Sequence, residues 1–282
     1  MSWIIRATYR RYAIVLMMTV VGLMVSLSRT TVAQTAQFSS EADAISGTVT
    51  HSVLGPLPTI VNIAPVDQSN TDTTGSHDVS GASVSQTLFG VEVYNFENVD
   101  DFTKDDETAS ADDGFGEAKT GKGSLLGGLI TWTGNDNSLT CSPDPINPTT
   151  QVDCTSTAVA RDLTINGVAI PHGNYSSGST FPVNGQIVGD GSSCPSGVGV
   201  ESFTGYLVIQ ESTITQNLTT GTISLTVNGM HLLGNSTCVI NGAQLLSTNF
   251  WDIRVAGPAV GSTGALGMLQ AMAPLIEPMM SR

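Results

Sequence analysis

Alternation of apolar and polar residues with a period of two constrains the fold of this chain more than any other feature. It is clearest at residues 222–228, where every second residue is apolar. In a strand, Ile223, Leu225 and Val227 would share one face, whereas a helix would scatter them around its circumference. The segment therefore predicts a half-buried β-strand.

Other segments are rich in the Ser, Thr and Val that suit a pleated surface, and they predict further strands at 91–94, 163–165 and 206–209. Four Asn-Gly pairs punctuate the chain, beginning at Asn166, Asn184, Asn228 and Asn241. Asn and Gly tolerate the positive φ that tight turns require, so most of these pairs are predicted to be β-turns. The pattern predicts an all-β fold, an antiparallel β-sandwich. A β-solenoid is the alternative, although no fixed-period repeat is visible.

Two segments depart from the strand pattern. Residues 100–116 are acidic and almost without apolar side chains, and they predict a solvated, mobile loop. Residues 265–280 are apolar and rich in Met, with Leu266, Leu269 and Met272 at near-helical spacing before Pro274. They predict a short C-terminal helix that packs against the domain or against a neighbouring chain.

The first 33 residues have the composition of an export leader. They contain four arginines and no acidic residue, and an apolar stretch at 13–27 is followed by Thr31-Val32-Ala33. This order predicts a signal peptide that is cleaved after Ala33. A retained membrane anchor is the alternative, but the apolar stretch falls short of the roughly 20 residues that span a bilayer. We therefore expect no stable membrane span after cleavage, and a secreted or cell-surface location.

The remaining body is strongly acidic. The leader holds no acid and four of the 10 Lys and Arg, so the body carries 24 acids against six bases, a net charge of −18. Such a field opposes binding to nucleic acid and to anionic membranes. The domain boundaries that follow are a signal peptide at 1–33, an all-β extracellular domain at 34–257 and a C-terminal tail at 258–282.

Four segments together resemble the choice-of-anchor P family of exported bacterial surface proteins. They are 123–131 (GSLLGGLIT), 163–167 (LTING), 205–211 (GYLVIQE) and 223–231 (ISLTVNGMH). Their order and spacing are similar to that family over roughly residues 44–255. The resemblance implies an all-β extracellular domain of unassigned activity, with no catalytic residues to carry over. The chain departs from the family in lacking a recognisable C-terminal anchor.

Four cysteines in an exported chain predict two disulfides. Cys141 and Cys154 flank a Pro-rich segment, and antiparallel strands would bring them together. Cys194 is then predicted to pair with Cys238. The spacing lacks the CxxC pattern of zinc sites.

Calcium is the one ligand that the sequence suggests, because hard cations bind several converging oxygens. The candidate ligands are the acidic residues Asp100, Asp101, Asp105, Asp106, Asp112 and Asp113. The segment lacks the glycine and the terminal glutamate of the twelve-residue helix-loop-helix calcium loop, so a solvated acidic loop is the competing interpretation. No cofactor other than calcium is suggested.

No catalytic residue can be assigned, because the chain has neither a G-x-S-x-G elbow nor an HExxH pair. We expect a non-catalytic structural or adhesive module of the cell surface or matrix, whose partner is a polysaccharide or another copy of the chain. A secreted carbohydrate-active hydrolase is the alternative, and it would require a cleft with opposed carboxylates. A carbohydrate-binding module is a third possibility, and it would expose an aromatic platform, for which Trp132, Trp251 and Tyr206 are the candidates.

Overall fold

The computed structural model describes residues 37–53, 57–66, 69–71, 75–81, 83–108, 111–143, 152–171, 178–187, 200–217, 222–240, 244–263 and 269–271. All regular structure in these ranges is β-strand, and none of it is helical. From Thr35 onward the chain forms one compact unit. The predicted all-β class is therefore confirmed.

Twenty-one strands form three sheets. Sheet 1 has nine strands: β1 (Gln37–Ala42), β2 (Ile45–Val53), β3 (Thr59–Val66), β4 (Ser69–Thr71), β16 (Ser179–Ile187), β17 (Val200–Asn217), β18 (Thr222–Ile240), β19 (Gln244–Val255) and β20 (Ala259–Thr263). Sheet 2 has six: β6 (Val84–Leu88), β7 (Val91–Phe96), β10 (Gly123–Leu125), β11 (Ile130–Trp132), β14 (Thr164–Ile165) and β15 (Val168–Ala169). Sheet 3 has the other six: β5 (Gly75–Gly81), β8 (Val99–Thr108), β9 (Ala111–Thr120), β12 (Gly134–Pro143), β13 (Val152–Arg161) and β21 (Leu269–Ala271).

Neighbouring strands are antiparallel in every described pair except β13 with β21. The strand order in sheet 1 is β3-β2-β19-β18-β20-β1-β4. β17 pairs with the edge of β18 that β19 and β20 leave open, and β16 pairs with β17. The order is β15-β14-β11-β10-β7-β6 in sheet 2 and β21-β13-β12-β9-β8-β5 in sheet 3. This pairing differs from a β-solenoid, whose successive coils pair in parallel.

Sheets 2 and 3 meet along a line of bends that we call the crease. Strands of sheet 3 continue directly into strands of sheet 2, with only 97–98 between β7 and β8 and only 121–122 between β9 and β10. The backbone remains hydrogen-bonded across the bends, as in the 2.8 Å bond from the Gly121 N–H to the Glu97 carbonyl. Asn98 and Asp162 adopt positive φ there. Single residues in left-handed conformations therefore lie at two of the bends, between β7 and β8 and between β13 and β14.

Sheet 1 bends as well. Gln210 has a φ of 54° in the middle of β17, and Ala256 has a φ of 51° between β19 and β20. Asn137 of β12 donates from its side-chain amide to the Val227 and Ala256 carbonyls, at 2.6 and 2.7 Å. These two bonds connect sheet 3 to sheet 1 beside the crease.

Two clusters of buried apolar side chains fill the interior. The larger cluster consists mainly of residues of sheets 1 and 2, among them the fully buried Trp251 and Trp132, and it also includes Val99, Ala118 and Ala160 of sheet 3. The smaller cluster combines residues of sheets 1 and 3, including Phe38, Leu225 and Leu139. Both indoles are also anchored, because Trp132 donates to the Thr120 hydroxyl at 2.9 Å and Trp251 donates to the Ser236 hydroxyl at 2.7 Å.

The predicted C-terminal helix is wrong where the structure describes the tail. Residues 259–263 form β20, and residues 269–271 form β21, which pairs with β13. Residues 264–268 and 272–282 lie outside the described residues. Near-helical spacing of apolar residues was a weak signal over so short a segment, because pairing with an available strand edge overrides it.

The predicted acidic loop is also wrong, since residues 99–108 and 111–120 form the paired strands β8 and β9. The predicted turn at Asn166-Gly167 is confirmed, with positive φ at both residues. Asn184-Gly185 and Asn228-Gly229 instead lie inside strands. Asn241-Gly242 falls outside the described residues.

Candidate functional site

Two aromatic side chains lie exposed on the outer surface of sheet 1. Tyr206 in β17 is 43% exposed and Phe250 in β19 is 42% exposed. Successive side chains of a strand point to opposite faces. Since Leu207 and Trp251, the next residues along the two strands, belong to the larger core, Tyr206 and Phe250 point away from it.

The strand register places these aromatics close together. Tyr206 lies opposite Leu233 of β18, and Phe250 lies opposite Asn235, two residues further along the same strand. Two strand spacings and one pleat repeat put the Tyr206 and Phe250 Cα atoms about 12 Å apart. An oligosaccharide can cover that distance.

Further exposed apolar side chains share this surface, which we call the apolar face. Ile60 belongs to it because it pairs with Thr50, which in turn pairs with Phe250. Val200 belongs to it because it is an even number of residues from Tyr206 in the same strand. Among the described residues, four of the seven exposed large hydrophobic side chains therefore lie on one face. Such a concentration is typical of an interaction surface.

A charged network borders the apolar face. His231 of β18, which is 5% exposed, contacts the Glu211 carboxylate through Nδ1 and the Asp252 carboxylate at 2.9 Å through Nε2. Arg254 contacts the Asp252 carboxylate at 3.2 Å, and Asn228 donates to Glu211 at 3.3 Å. Both ring nitrogens of His231 therefore face carboxylate oxygens. The network fixes these side chains at the border of the face.

Only one of the three aromatics singled out in the sequence lies on this face. Trp132 and Trp251 are 1% and 0% exposed and serve the core, whereas Tyr206 is exposed. Sequence reasoning missed Phe250. The signal was present, because Phe250 falls among the polar positions Thr248 and Asp252 of an alternating strand and therefore belongs on the outward face.

A second candidate site is a cleft of about 530 Å³ at the crease. Its charged lining consists of Asp100, Lys119, Asp136 and Arg161. Asp136 lies opposite Lys119, which lies opposite Asp100, so that acid, base and acid alternate across three neighbouring strands of sheet 3. The two carboxylates thus flank Lys119 on one sheet and do not face each other from opposed walls.

The pKa values of these groups shift for identifiable reasons. Burial raises the pKa of Asp136, and Lys119 partly offsets the rise. Burial and then the neighbouring Asp78 raise the pKa of Asp100. Burial acts to lower the pKa of Lys119, but its hydrogen bond to Glu117 and the surrounding carboxylates raise it overall. Burial therefore makes both carboxyls weaker acids than usual, while the neighbouring carboxylates stabilise the charged form of Lys119.

The four predicted calcium ligands whose side chains the structure describes are divided between the two faces of the β8–β9 hairpin. Asp101 and Asp105 point inward and are 0% and 1% exposed, and Asp105 accepts a hydrogen bond from Ser40. Asp100 lines the crease cleft, and Asp113 is half-buried. The side chains of Asp106 and Asp112 lie outside the described residues.

The described side chains include no group of three or more His, Cys, Asp or Glu placed to hold a metal ion. The hairpin separates side chains that a flexible loop could have brought together. Calcium binding remains a prediction, and a melting temperature that rises with calcium concentration would test it.

The predicted disulfide between Cys141 and Cys154 is confirmed. The two residues lie opposite each other in β12 and β13, with Cα atoms 4.1 Å apart, and both are buried in the smaller core. Cys238 is also disulfide-bonded. Its predicted partner, Cys194, lies outside the described residues.

No helix in the described part of the chain is long and apolar enough to cross a membrane. A scan against protein-family models finds no match, and a search of curated proteins finds none either. The resemblance to the choice-of-anchor P family therefore stays a prediction.

Proposed function

We propose that the protein is an exported, non-catalytic adhesion module of the cell surface or matrix, which binds a neutral polysaccharide on the apolar face. The observation that carries this proposal is the exposure of Tyr206 and Phe250 on the same face of sheet 1. Aromatic rings cost little conformational entropy on binding and offer a rigid apolar surface on which the C–H face of a sugar ring can lie.

Polar groups beside the rings supply the hydrogen bonds that sugar hydroxyls need. Thr204 lies opposite Asn235, Asn235 lies opposite Phe250, and Phe250 lies opposite Thr50. The three polar residues therefore lie in the same row of the outer face as Phe250. Their hydroxyl and amide groups can both donate and accept. The combination of stacking surface and flanking polar groups favours a hydroxyl-rich ligand.

Charge favours a neutral ligand. The body carries 24 acids and six bases, so an anionic polysaccharide would be repelled. At the border of the apolar face, Arg254 and His231 are each already bound to carboxylates. The Arg254 guanidinium is therefore already paired with a carboxylate and is not free to bind a sulfate or a uronate.

The architecture that we propose is a bent β-sandwich, with sheet 1 as one layer and sheets 2 and 3 as the other. It is supported by the two core clusters, because the larger joins sheet 1 mainly to sheet 2 and the smaller joins sheet 1 to sheet 3. A sandwich of this kind presents broad outer faces to solvent, which suits a binding surface.

Export is supported by the Cys141–Cys154 disulfide, since such bonds persist in oxidising compartments. Residues 1–33 lie outside the described residues. We predict that the mature chain begins near Gln34. Intact-mass measurement of protein from the medium or the cell surface tests this, and a mass that includes residues 1–33 would indicate an anchored protein instead.

Binding to a panel of neutral polysaccharides, measured by pull-down and calorimetry, tests the proposed function. Replacing Tyr206 or Phe250 by Ala should weaken binding about 10-fold each, since an aromatic contact contributes on the order of 1 kcal/mol beyond its buried area. Tyr206→Phe keeps the ring and should retain most of the affinity. Val168→Ala is a matched control, because Val168 is 66% exposed but lies on sheet 2. Equal affinity of Tyr206→Ala, Phe250→Ala and wild type would overturn the proposal.

A carbohydrate-active hydrolase is the second candidate function, and it would use the crease cleft. The observation in its favour is the pair of carboxyls with raised pKa values, Asp100 and Asp136, beside Lys119. Release of reducing ends that is lost in Asp136→Asn and kept in Tyr206→Ala would favour the hydrolase. We rank it second because the two carboxylates lie on one sheet, whereas glycoside hydrolysis needs them on either side of the bond.

A further inference from the structure

The second half of β17, residues 211–217, is an edge of sheet 1. The first half of β17 has a neighbour on each side. Residues 200–209 pair with β18 on one side, and residues 201–209 pair with β16 on the other. β16 begins at Ser179, opposite Ile209, and among the described residues the second half of β17 pairs with β18 alone. Its outer row of backbone N–H and C=O groups can therefore accept another strand.

Most other sheet edges carry features that discourage strand addition. β16 and β3 contain Pro182 and Pro65, β5 contains Asp78, and β6 pairs with β7 through an irregular register. β4, β15 and β21 have only two or three residues each. The 211–217 segment (ESTITQN) has neither Pro nor Gly and is rich in residues that favour strands. Its only charged residue, Glu211, contacts His231.

Ile214 in this edge is positioned to extend the smaller core. It lies opposite Leu225, which lies opposite Val260, and the latter two are 3% exposed members of that core. Cross-strand neighbours share a face of the sheet, so Ile214 points to the core side as well. Yet Ile214 is 43% exposed. One more strand on this edge would cover it.

We propose that a second copy of the chain supplies that strand, so that residues 211–217 of two copies pair antiparallel about a two-fold axis at Ile214. In this register Ile214 lies opposite its own counterpart, and the two side chains bury each other. Glu211 then lies opposite Asn217 of the other copy, so no like charges are opposed. Sheet 1 becomes continuous across the dimer.

The net charge sets the conditions under which this dimer forms. Two bodies with a charge of −18 each repel at low ionic strength, where the screening length is long. The pairing edge itself is almost uncharged. Dimerisation should therefore strengthen with salt, unlike an association that rests on opposite charges.

Analytical ultracentrifugation of the mature chain at low and at near-physiological salt tests the proposal. We expect a monomer–dimer equilibrium whose dissociation constant falls with added salt. Ile214→Lys should weaken dimerisation at least 10-fold, because it places two like charges in contact at the axis. Val168→Lys, at an exposed position on another sheet, should have no effect. A wild-type chain that stays monomeric at every salt and protein concentration overturns the proposal.

Two further variants test the edge and the register. Ile60→Lys alters the β3 edge and should leave the dimer intact. If Ile60→Lys abolished the dimer and Ile214→Lys did not, the interface would lie at another edge and the proposal would be overturned. Ile214→Cys should form a disulfide-linked dimer under mild oxidation, whereas Val168→Cys should not. A dimer in which Ile214→Cys cannot be cross-linked would contradict the two-fold axis at Ile214. Far-UV circular dichroism confirms that each variant is folded.

Discussion

Buried polar side chains determine much of the structure at the scale of single residues. Asn249 and Ser236 both donate hydrogen bonds to Glu201, and all three are at most 2% exposed. Burial raises the pKa of Glu201, which those two hydrogen bonds partly offset. Groups like these are stable in the interior because they are partnered, and removing one partner leaves the other buried without compensation.

His231→Ala should destabilise the protein by about 1–3 kcal/mol, since hydrogen bonds to charged groups contribute that much. The ring bridges Glu211 and Asp252, and its loss leaves two carboxylates without the group between them. Urea denaturation measures the change. His77→Ala, at an exposed position, serves as the control. A His231→Ala variant as stable as the control would show that the network contributes nothing to stability.

Asp43 makes stability depend on pH. Burial, and secondarily the charge of Glu41, raises the pKa of Asp43 from 3.8 to about 7. The folded protein therefore holds this proton more tightly than the unfolded chain, so the stability from Asp43 is fully present below about pH 4 and is lost as the pH rises through 7. The shift corresponds to at most about 4 kcal/mol, and partial exposure reduces it to about 1–2.

Asp43→Asn keeps a neutral side chain and should remove this dependence. Urea unfolding of both proteins at pH 5 and pH 8 provides the comparison. Wild type should lose about 1–2 kcal/mol relative to the variant between the two pH values. Parallel stability curves for the two proteins would mean that Asp43 titrates normally.

At the scale of elements, the crease organises the strands. Five strands of sheet 3 are joined to strands of sheet 2 by one or two residues, and β17 and β18 pass the bend at Gln210 without ending. Cross-strand glycines permit close packing in the latter pair. A Cβ at Gly234 would lie 2.5 Å from the Phe203 ring and 2.6 Å from the Thr204 carbonyl. The β17–β18 hairpin can therefore pack Phe203 against its own backbone only because Gly234 lacks a side chain.

The sequence predicted elements well where one face is apolar and poorly where both faces are polar. Ile223, Leu225 and Val227 are buried as their alternation indicated. The β8–β9 hairpin was missed because its inward residues include Asp101, Thr103 and Asp105, which give no apolar period. Which polar groups a core accepts depends on partners that are distant in sequence, as with Ser40 and Asp105.

The aromatic site was half predictable for a similar reason. Tyr206 was a candidate, but the sequence could not separate exposed from buried aromatics. That separation depends on which face of sheet 1 the core covers, and the core is set by long-range pairing of β17, β18 and β19. The crease cleft was not predictable at all, since its lining comes from five neighbouring strands of sheet 3 and from the bends that lead into sheet 2.

Replacing both Cys141 and Cys154 by Ala should destabilise the protein by about 3 kcal/mol, the chain-entropy estimate for a loop of about a dozen residues. Both side chains are buried, and Ala retains the apolar contact with only a small loss of volume. Urea denaturation under non-reducing conditions measures the effect. The adjacent pair Thr140→Ala and Thr155→Ala is the control. A double variant that is as stable as this control would contradict the estimate.

At the scale of the whole molecule, β18 connects the two cores. Residues Leu232 and Met230 belong to the larger cluster, whereas Leu225 and Val227 of the same strand belong to the smaller one. Because one strand serves both clusters, neither can lose its packing without exposing part of the other. We therefore expect the protein from Gln34 onward to unfold in a single cooperative transition.

Asn137→Ala should destabilise the whole molecule by about 2–3 kcal/mol. The side chain bonds two backbone carbonyls of sheet 1, and its removal leaves both without that donor. Tryptophan fluorescence and far-UV circular dichroism, followed in urea, should give coincident transitions at a lower midpoint. Ser138→Ala, at the neighbouring outward-facing position, is the control. Transitions that separate already in wild type would show that the two cores unfold independently.

The length of β17 has a consequence for avidity. Tyr206 lies before the bend at Gln210 and Ile214 lies after it, so the proposed glycan-binding surface and the proposed self-pairing edge share one strand. Eight residues of strand separate them, or about 27 Å. A dimer about Ile214 would hold two such surfaces about 50 Å apart on a continuous sheet. Two weak contacts with one long polymer would then reinforce each other, while short oligosaccharides would gain nothing from the second surface.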